Sequence, residues 1–533
     1  MAAIATSVAA MVLIGLAGPS AAVPAFRSAA PWPPYFGHLS LSPVLVAFAS
    51  WAAVLIGGAG VGAGLVAVGR GWRPRPRNVI IGAILAVVAL ALVPPIGSTD
   101  MLDYAVYGRI AALGHSPYVM TPARLKAMGD PVGAVAPIPW QHDPSVYGPL
   151  ATVTEKVASL LGGSSVARTL LWLKVWNGLA FLGIAITLDR LLRSDPMRRM
   201  RAHLLWSVNP LMLLAVMTGG HIDGLAAVFG LLGLLAFRRA EPGQPTAGQP
   251  TARQPTARQP TAGQPSADRA LGVGLRRAVV AGVLVGVAVA VKAPFALFAI
   301  GLAWAGWRSV RTLAAAGLGL AVVLVPSYLL AGKQALLAAV NRGVAGVDLY
   351  QPWQLLYRTL DWHDPSHRID VLAVIAAVAL AVLLLRRMPE GPPGLPAIRV
   401  TLALSLAWLV TSPQQRPWFD AMIFPLLAVM PATQLDWIAL LRAVVASAAE
   451  LPGVLFYTAL RPHWLAETAD ILSRGLTPLV LLAATVWLIW FSPRGEEFGP
   501  RGGDPPVTPR LGAWGASKPS VIHSGQPPAG PPG

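Results

Sequence analysis

Long apolar runs separated by short polar loops recur along most of the chain. Fourteen of these runs are candidate membrane spans. They occupy residues 3–22, 43–68, 79–96, 168–189, 204–218, 222–237, 278–292, 294–307, 311–331, 370–385, 398–411, 420–433, 437–459 and 475–491. Some hold only about 15 residues, so we expect those to be tilted, re-entrant or shielded by protein. The pattern predicts an all-α polytopic membrane protein, a bundle of about 13–14 transmembrane helices.

The composition agrees with this pattern. Of the 533 residues, 55% are hydrophobic and 12% charged, whereas a soluble domain carries about 25% charged residues. The absence of cysteine excludes disulfides, thiol catalysis and cysteine-ligated metal. The first run lacks the basic start of a signal peptide, although small residues follow it, so we expect a first span rather than a cleaved signal.

The distribution of basic residues predicts the orientation. Of the 41 Lys and Arg residues, 26 fall in one set of alternating loops and 15 in the other. By the positive-inside bias, we expect the loops with more Lys and Arg to be cytoplasmic. We expect the membrane to be the plasma membrane. The formal charge of +18 follows from these loop clusters, so we expect no nucleic-acid partner.

This topology divides the chain into six segments. Membrane spans occupy 1–96, a large extracytoplasmic loop 97–167, spans with an outer His-x-Asp turn 168–237, a cytoplasmic linker 238–277, spans with outer loops 278–491, and a cytoplasmic tail 492–533. Five copies of a proline-containing pentapeptide, beginning QPTAG, fill 244–268. Since they offer no large apolar side chain to a core, we predict that the linker is disordered, and the Pro- and Gly-rich tail likewise.

The outer side carries the polar residues that could do chemistry. "GSTDMLDYAVYGR" contributes Asp100, Asp103, Tyr104, Tyr107 and Arg109. One reading is a helix N-terminus, capped near Asp100 and favoured by the dipole of the helix. The other is a catalytic or substrate-contacting group, because a carboxylate desolvated at the membrane edge can act as a general base.

Four further outer groups each have two readings. The stretch "WQHDPSVYGP", which contains Tyr147, either anchors the loop at the membrane interface or stacks its aromatic rings on sugar rings. The stretch "TGGHIDGLA" contains His221 and Asp223 and forms either a tight polar turn or a functional pair of side chains. Lys292 in "VAVKAPF" either snorkels or binds phosphate. "SPQQRPWF", with Gln414, Gln415, Arg416 and Trp418, either turns at the interface or offers amides, a cation and a stacking face.

Taken together, these stretches are similar to a known family. "DMLDYAVYGRIAALGHSPY", "DPSVYGPLAT", "LLWSVNPLMLLAVMTGGHIDGLAAVFGLLGLLA" and "VAVKAPFALFAIGLAW" resemble the actinobacterial polyprenyl-phosphate-mannose-dependent alpha-(1→6)-mannosyltransferases, which are multispanning GT-C glycosyltransferases. The resemblance covers about residues 95–330 and extends more loosely to 420.

The resemblance implies a lipid-linked donor, polyprenyl-phosphate-mannose, a mannan glycolipid acceptor and an extracytoplasmic active site. Its catalytic acid corresponds to Asp100, as general base. Asp103 stands where the family pattern suggests a small polar residue, which makes it the alternative base. Lys292, Arg109 or Arg416 would stabilise the leaving phosphate, so no metal or other cofactor is expected. The remaining expected substrate-binding residues are Asp103, Tyr104, Tyr147, His221, Asp223, Gln414, Gln415 and Trp418.

Three other functions compete with this interpretation. A related enzyme could use a different lipid-linked sugar. A transporter or flippase would carry internal repeats and paired broken helices near the bilayer centre, and the sequence shows no internal duplication. A structural scaffold would leave the acids at 100 and 103 without a role.

Overall fold

The computed structural model describes residues 1–26, 32–35, 37–138, 140–238, 274–341, 347–348, 350–359, 365–453 and 460–490. Within these residues every regular element is a helix. The repeats at 244–268 and the tail at 492–533, both predicted to be disordered, lie outside the described residues. We number the helices used below in chain order: α1 (Ala2–Ala17), α2 (Pro43–Gly69), α3 (Pro76–Ala91), α4 (Asp100–Ala112), α5 (Pro122–Ala127), α6 (Pro149–Gly162), α7 (Val166–Leu191), α8 (Pro196–Thr218), α9 (Asp223–Ala236), α10 (Leu275–Val291), α11 (Ala293–Gly306), α12 (Val310–Ala331), α13 (Lys333–Asn341), α14 (Trp353–Thr359), α15 (Pro365–Arg387), α16 (Pro396–Thr411), α17 (Pro417–Val429), α18 (Leu435–Glu450) and α19 (His463–Trp490).

Each of the fourteen predicted spans overlaps one of these helices. Within the described residues, six helices are long and apolar enough to cross a membrane unaided: α2, α7, α8, α12, α15 and α19. Six more are apolar but contain only 10–17 residues. The predicted all-α polytopic membrane bundle is therefore confirmed, whereas many of its helices are too short to span a bilayer alone.

Helix α8 runs through the middle of the bundle. Its apolar window is entirely buried, whereas only 11% of the corresponding window of α12 is buried. A helix that is apolar on all sides belongs in the interior of a bundle. The sequence predicts a span only from residue 204, but the helix begins eight residues earlier, at Pro196.

Helix α8 is interrupted halfway, which the sequence pattern does not predict. Two π-helical stretches, His203–Ser207 and Leu214–Thr218, flank a break at Val208 and Asn209. The side-chain oxygen of Asn209 accepts a hydrogen bond from the backbone nitrogen of Leu211 (3.0 Å) and thereby caps the second half. Such irregular turns are frequent near functional sites, and this one lies in the helix that leads to His221.

Helices α10 and α12 cross closely because both carry glycine at the crossing. A Cβ added to Gly282 would lie 2.0 Å from the carbonyl oxygen of Ala316, and one added to Gly319 would lie 2.1 Å from that of Val279. In an apolar environment, such close backbone approach replaces the hydrophobic effect as the source of helix association. The crossing fixes the end of α10, which Lys292 follows directly.

The basic ends of several helices meet at one end of the bundle. The guanidinium of Arg201 pairs with Asp436 (2.5 Å) and donates to the carbonyl oxygens of Leu427 and Met430. Arg199 pairs with Asp189 (2.7 Å). These contacts join the N-terminal end of α8 to α7, α17 and α18, so the arginines that predict topology also tie helix ends together.

Candidate active site

The opposite ends of the same helices converge on a polar group that we call the outer cluster. Its members are Asp100, Tyr104, Tyr147, His221, Asp223, Lys292, Asp348, Arg416, Trp418 and Glu450. Helix α4 reaches it because the turn after α3 is tied down: the nitrogen of Ile96 donates to the carbonyl oxygen of Thr218 (3.0 Å), and the nitrogen of Asp100 donates to the hydroxyl of Ser98 (3.1 Å). Asp100 therefore opens α4 next to the end of α8.

His221 joins two sides of the outer cluster. Its ring lies flat on the indole of Trp418, with centroids 3.5 Å and planes 11° apart. Its Nδ1 is 3.5 Å from Oδ2 of Asp100 and 3.4 Å from the hydroxyl oxygen of Tyr104. Burial and the nearby cations lower the pKa of His221 well below its ordinary value. The ring is therefore neutral at pH 7 and orients the Asp100 carboxylate without a positive charge of its own.

The turn that carries His221 needs glycine at position 220. Gly220 has a φ of +70°, and a Cβ there would lie 2.1 Å from the methyl carbon of Met101. Its carbonyl oxygen accepts a hydrogen bond from the side-chain amide of Asn177 on α7 (2.7 Å). The turn is thereby held against both α4 and α7, which keeps the imidazole beside Asp100.

Lys292 and Asp223 form a buried pair on the next side of the cluster. The ammonium of Lys292 is 2.7 Å from Oδ2 of Asp223 and lies 4.2 Å from the centre of the Phe419 ring. A lysine has three donors, and this ion pair occupies one of them. The side chain is 10% exposed, so it is a nearly buried cation rather than a snorkelling surface lysine.

The outer loop reaches Lys292 through Gly148. The backbone nitrogen of Gly148 donates to the carbonyl oxygen of Val291 (3.0 Å), and a Cβ on Gly148 would lie 2.1 Å from the carbonyl oxygen of Ala290. This close approach places Tyr147 edge-on against Tyr104, with ring centroids 4.9 Å apart. The two tyrosines thus close the cluster on the side of the loop.

Arg416 is the more exposed cation of the cluster. Its guanidinium contacts Asp348 at 3.1 Å and Glu450 at 3.0 Å, and its side chain remains 32% exposed. It also lies 6.0 Å from the ring centre of Trp418. The two acids hold the guanidinium in place, while its exposed portion can meet a ligand.

The structure separates the two acids that open α4. Burial raises the pKa of Asp100 to about 6, and the positive charge of Arg416 opposes that rise. Burial, together with the charges of Asp100, Asp143 and Glu155, raises the pKa of Asp103 to about 9. At pH 7 Asp100 is therefore mainly a carboxylate and Asp103 a neutral acid.

The two aspartates also differ in solvent exposure. The side chain of Asp100 is 19% exposed, whereas Asp103 is 4% exposed as a residue and its Oδ1 has no hydrogen-bond partner among the described residues. Asp100 can thus meet a ligand that Asp103 cannot reach. A partly exposed carboxylate near the positive charges of Lys292 and Arg416 is an arrangement that can remove a proton at one point and stabilise an anion at another.

Comparison with known proteins identifies the family. The profile described as "alpha-(1->6)-mannopyranosyltransferase, N-terminal domain", of the MptA_B family, matches residues 4–308, more than half of the chain. The chain belongs to the MptA_B family. The resemblance seen in the sequence is thereby confirmed, and the outer cluster includes residues from the matched range, among them Asp100, His221 and Lys292.

Two mycobacterial relatives of this MptA_B-family chain align over limited lengths. A probable alpha-(1->6)-mannopyranosyltransferase of Mycolicibacterium smegmatis is 26% identical over 166 residues, which are 30% of this chain and 29% of the relative. An alpha-(1->6)-mannopyranosyltransferase of Mycobacterium tuberculosis is 26% identical over 151 residues, or 28% and 25% of the two chains. The aligned part thus spans less than a third of either relative.

The outer cluster does not include every residue that the sequence predicts for the site. Arg109 pairs instead with Asp130 (2.8 Å), whose other carboxylate oxygen accepts from the nitrogens of Val132 and Gly133. Arg109 is nine positions after Asp100 on the helix, about 13 Å along the axis. The guanidinium therefore holds the loop after α5, outside the outer cluster.

The two glutamines lie next to the cluster, and their backbone contacts help to form the turn before Arg416. The backbone nitrogen of Gln415 donates to Asp348 (2.6 Å), and its carbonyl oxygen accepts from the hydroxyl of Tyr350. Gln415 is fully buried, and the backbone nitrogen of Gln414 lies 3.4 Å from the hydroxyl oxygen of Ser412. Both residues belong to the turn that presents Arg416, and these backbone contacts help to hold that turn.

Two acids of the site in this MptA_B-family chain escape sequence reasoning. Asp348 lies in the outer stretch between α13 and α14, and Glu450 ends α18. Glu450 falls inside a predicted apolar span at 437–459, which hides it as a site residue. An acid within an apolar run is the signal that would have indicated it. Among the residues that the structure describes, no group of three or more His, Asp or Glu side chains is arranged to hold a metal ion.

Proposed function

We propose that this protein transfers mannose from polyprenyl-phosphate-mannose to an alpha-(1→6)-mannan acceptor of a cell-envelope glycolipid, on the extracytoplasmic face of the plasma membrane. One observation carries the proposal: a partly exposed carboxylate, Asp100, experiences the positive charges of the fixed cations Lys292 and Arg416 in a chain of the MptA_B family. The family description and the two mycobacterial relatives support the choice of sugar and linkage.

In the proposed reaction, Asp100 takes the proton of the acceptor hydroxyl. The oxygen then attacks the anomeric carbon of the mannosyl group, a new glycosidic bond forms and the bond to the phosphate oxygen breaks. Polyprenyl phosphate leaves with the bonding electrons, and the anomeric configuration inverts. A pKa of about 6 for Asp100 suits this role at neutral pH, because the carboxylate is available and still basic enough to accept a proton.

Lys292 and Arg416 stabilise the negative charge of the leaving polyprenyl phosphate in this reaction. Lys292 is nearly buried and Arg416 is held by two carboxylates, so neither must reorganise as charge develops on the phosphate oxygen. The carboxylates of Asp100, Asp223, Asp348 and Glu450 outnumber these two cations. That excess suits the positive charge that develops on a sugar ring during glycosyl transfer.

A donor assay tests the proposal. Membranes that contain the protein should transfer radiolabelled mannose from polyprenyl-phosphate-mannose to a short alpha-(1→6)-mannoside, and should not use GDP-mannose directly. Membranes from cells without the protein are the control. Transfer of a different lipid-linked sugar would contradict the assigned donor, and movement of the lipid-linked sugar across the membrane without transfer would indicate a flippase instead.

A further inference from the structure

Helix α6 has polar side chains on its buried face and apolar side chains on its exposed face, the reverse of a helix on a soluble protein. Its buried face carries Glu155 and Ser159, both fully buried, whose side-chain oxygens have no hydrogen-bond partner among the described residues. Its outward face carries Val153 and Leu160, which are 52% and 60% exposed. A helix that turns acid inward and branched apolar side chains outward is suited to an apolar surrounding such as a lipid surface.

A cleft of about 630 Å³ opens between α6, the turn that follows α4 and the second half of α12. Its volume falls within the ~300–1,000 Å³ typical of small-molecule sites. Its apolar walls include Leu150 and Val153 of α6 and Val322, Val323 and Leu330 of α12. Val322 and Leu330 are 59% and 90% exposed, so the cleft is continuous with the outer surface of the bundle.

Much of the polar lining of the cleft is satisfied within the protein. The hydroxyls of Tyr118 and Thr152 bond to each other at 2.9 Å, and the hydroxyl of Ser327 donates to the carbonyl oxygen of Val323 (2.6 Å). Lys156 is exposed and can extend its ammonium away from the apolar wall. The cleft therefore offers an occupant mainly hydrocarbon surface.

The cleft begins where the outer cluster ends. Pro149, which lines the cleft, follows Tyr147 and Gly148 directly. The nitrogen of Gly148 is bonded to the carbonyl oxygen of Val291, the residue before Lys292. The mouth of the cleft and the outer cluster therefore adjoin at this contact, so an occupant of the cleft would have one end beside the outer cluster.

We propose that this cleft holds the first isoprene units of the lipid-linked donor while its phosphate lies at Lys292 and Arg416. The inference rests on the proposed function and deepens it, because it assigns the recognition of the lipid chain to α6 and α12. The remainder of the chain leaves the cleft between Val153 and Leu330 and enters the bilayer.

Two variants of α12 provide a matched test. Val322→Trp narrows the cleft, whereas Leu318→Trp lies one turn earlier on the same helix, at a position that is 60% exposed and does not line the cleft. Val322→Trp should raise the KM for a long-chain polyprenyl-phosphate-mannose by about tenfold, or about 1.4 kcal/mol. It should leave the KM for methyl-phosphate-mannose, which carries a methyl group in place of the isoprenoid chain, unchanged, and Leu318→Trp should alter neither value.

Photo-crosslinking gives a second, independent readout. Benzoylphenylalanine at position 322 should capture the isoprenoid chain of added polyprenyl-phosphate-mannose, whereas the same group at position 318 should capture bulk phospholipid. Capture of phospholipid alone, or of a protein, at both positions would overturn the inference. Equal KM changes in the two tryptophan variants, with transfer intact, would overturn it as well. If the unmodified protein uses neither donor, it is the proposed function that fails.

Discussion

At the scale of single residues, the two aspartates of α4 differ by environment rather than by chemistry. Asp100 is 19% exposed beside Nδ1 of His221, and Asp103 is buried three residues further on. Burial raises both pKa values, but Arg416 limits the rise at Asp100, whereas neighbouring acids add to it at Asp103. One helical turn thus separates a carboxylate from a neutral acid.

The pair of asparagine variants tests this assignment. Asp100→Asn should lower kcat/KM for mannose transfer by about 10²–10⁴-fold, because it removes the proton acceptor. Asp103→Asn should retain most of the activity, since an amide has nearly the shape of the neutral acid that it replaces. The converse result, with loss at position 103 and retention at 100, would assign the base to Asp103.

The pH dependence follows from the same pKa values. Because the base must be deprotonated, kcat/KM should fall about tenfold per pH unit below the pKa of Asp100, which is about 6, and level off above it. Asp103→Asn should leave this acid limb in place, since Asp103 is already protonated there. A profile that stays flat from about pH 5 to 8 would argue against Asp100 as the base.

At the scale of elements, close backbone contacts decide which side chains meet. The loop before α6 touches the end of α10 through Gly148, and that contact brings Tyr147 to Tyr104. The turn after the interrupted helix α8 places His221 beside the start of α4, because Gly220 packs closely against Met101. The helices that flank the site are thus positioned by glycines and caps as well as by apolar packing.

Gly148→Ala tests the contact between the loop and α10. The new Cβ would lie 2.1 Å from the carbonyl oxygen of Ala290, so the loop must move away from Lys292 and carry Tyr147 with it. We expect mannose transfer to fall by about tenfold or more, as misplacement of a site by about 1 Å can cause.

Gly82→Ala is the matched control, because a Cβ there meets nothing within 4 Å. Both variants should reach the membrane in equal amounts by immunoblot. Full activity of Gly148→Ala would show that the contact does not position the site.

At the scale of the whole molecule, α8 connects two unlike ends of the bundle. Arg199 and Arg201 lie in its first turns, and His221 is the third residue after its end. Its 23 residues correspond to about 34 Å of regular helix, close to the thickness of a bilayer. The basic network and the outer cluster are therefore separated by about one membrane.

Reporter fusions test which end faces the cytoplasm. A fusion at Pro250 should report a cytoplasmic location and one at Asp130 an external one, because basic loops stay inside. Location of both reporters on one side would refute the topology, and exchange of the two sides would place the outer cluster in the cytoplasm.

Much of this architecture is readable from the chain alone. Apolar periodicity locates helices at all fourteen predicted spans, since a chain in lipid must satisfy its backbone within helices. The sequence also singles out Asp100, His221, Lys292 and Arg416, because ionisable residues beside apolar runs are rare. What it determines, then, is the helices and most members of the outer cluster, which depend on local composition.

Other features depend on contacts between distant residues, and only the tertiary structure decides them. It pairs Arg109 with Asp130 outside the cluster, and brings Glu450 from within a predicted span to Arg416. It also gives Asp100 and Asp103 different pKa values, because burial and most of the neighbouring charges come from other parts of the chain. No local pattern records which side chains from the rest of the chain will surround a given carboxylate, and that surrounding determines its chemistry.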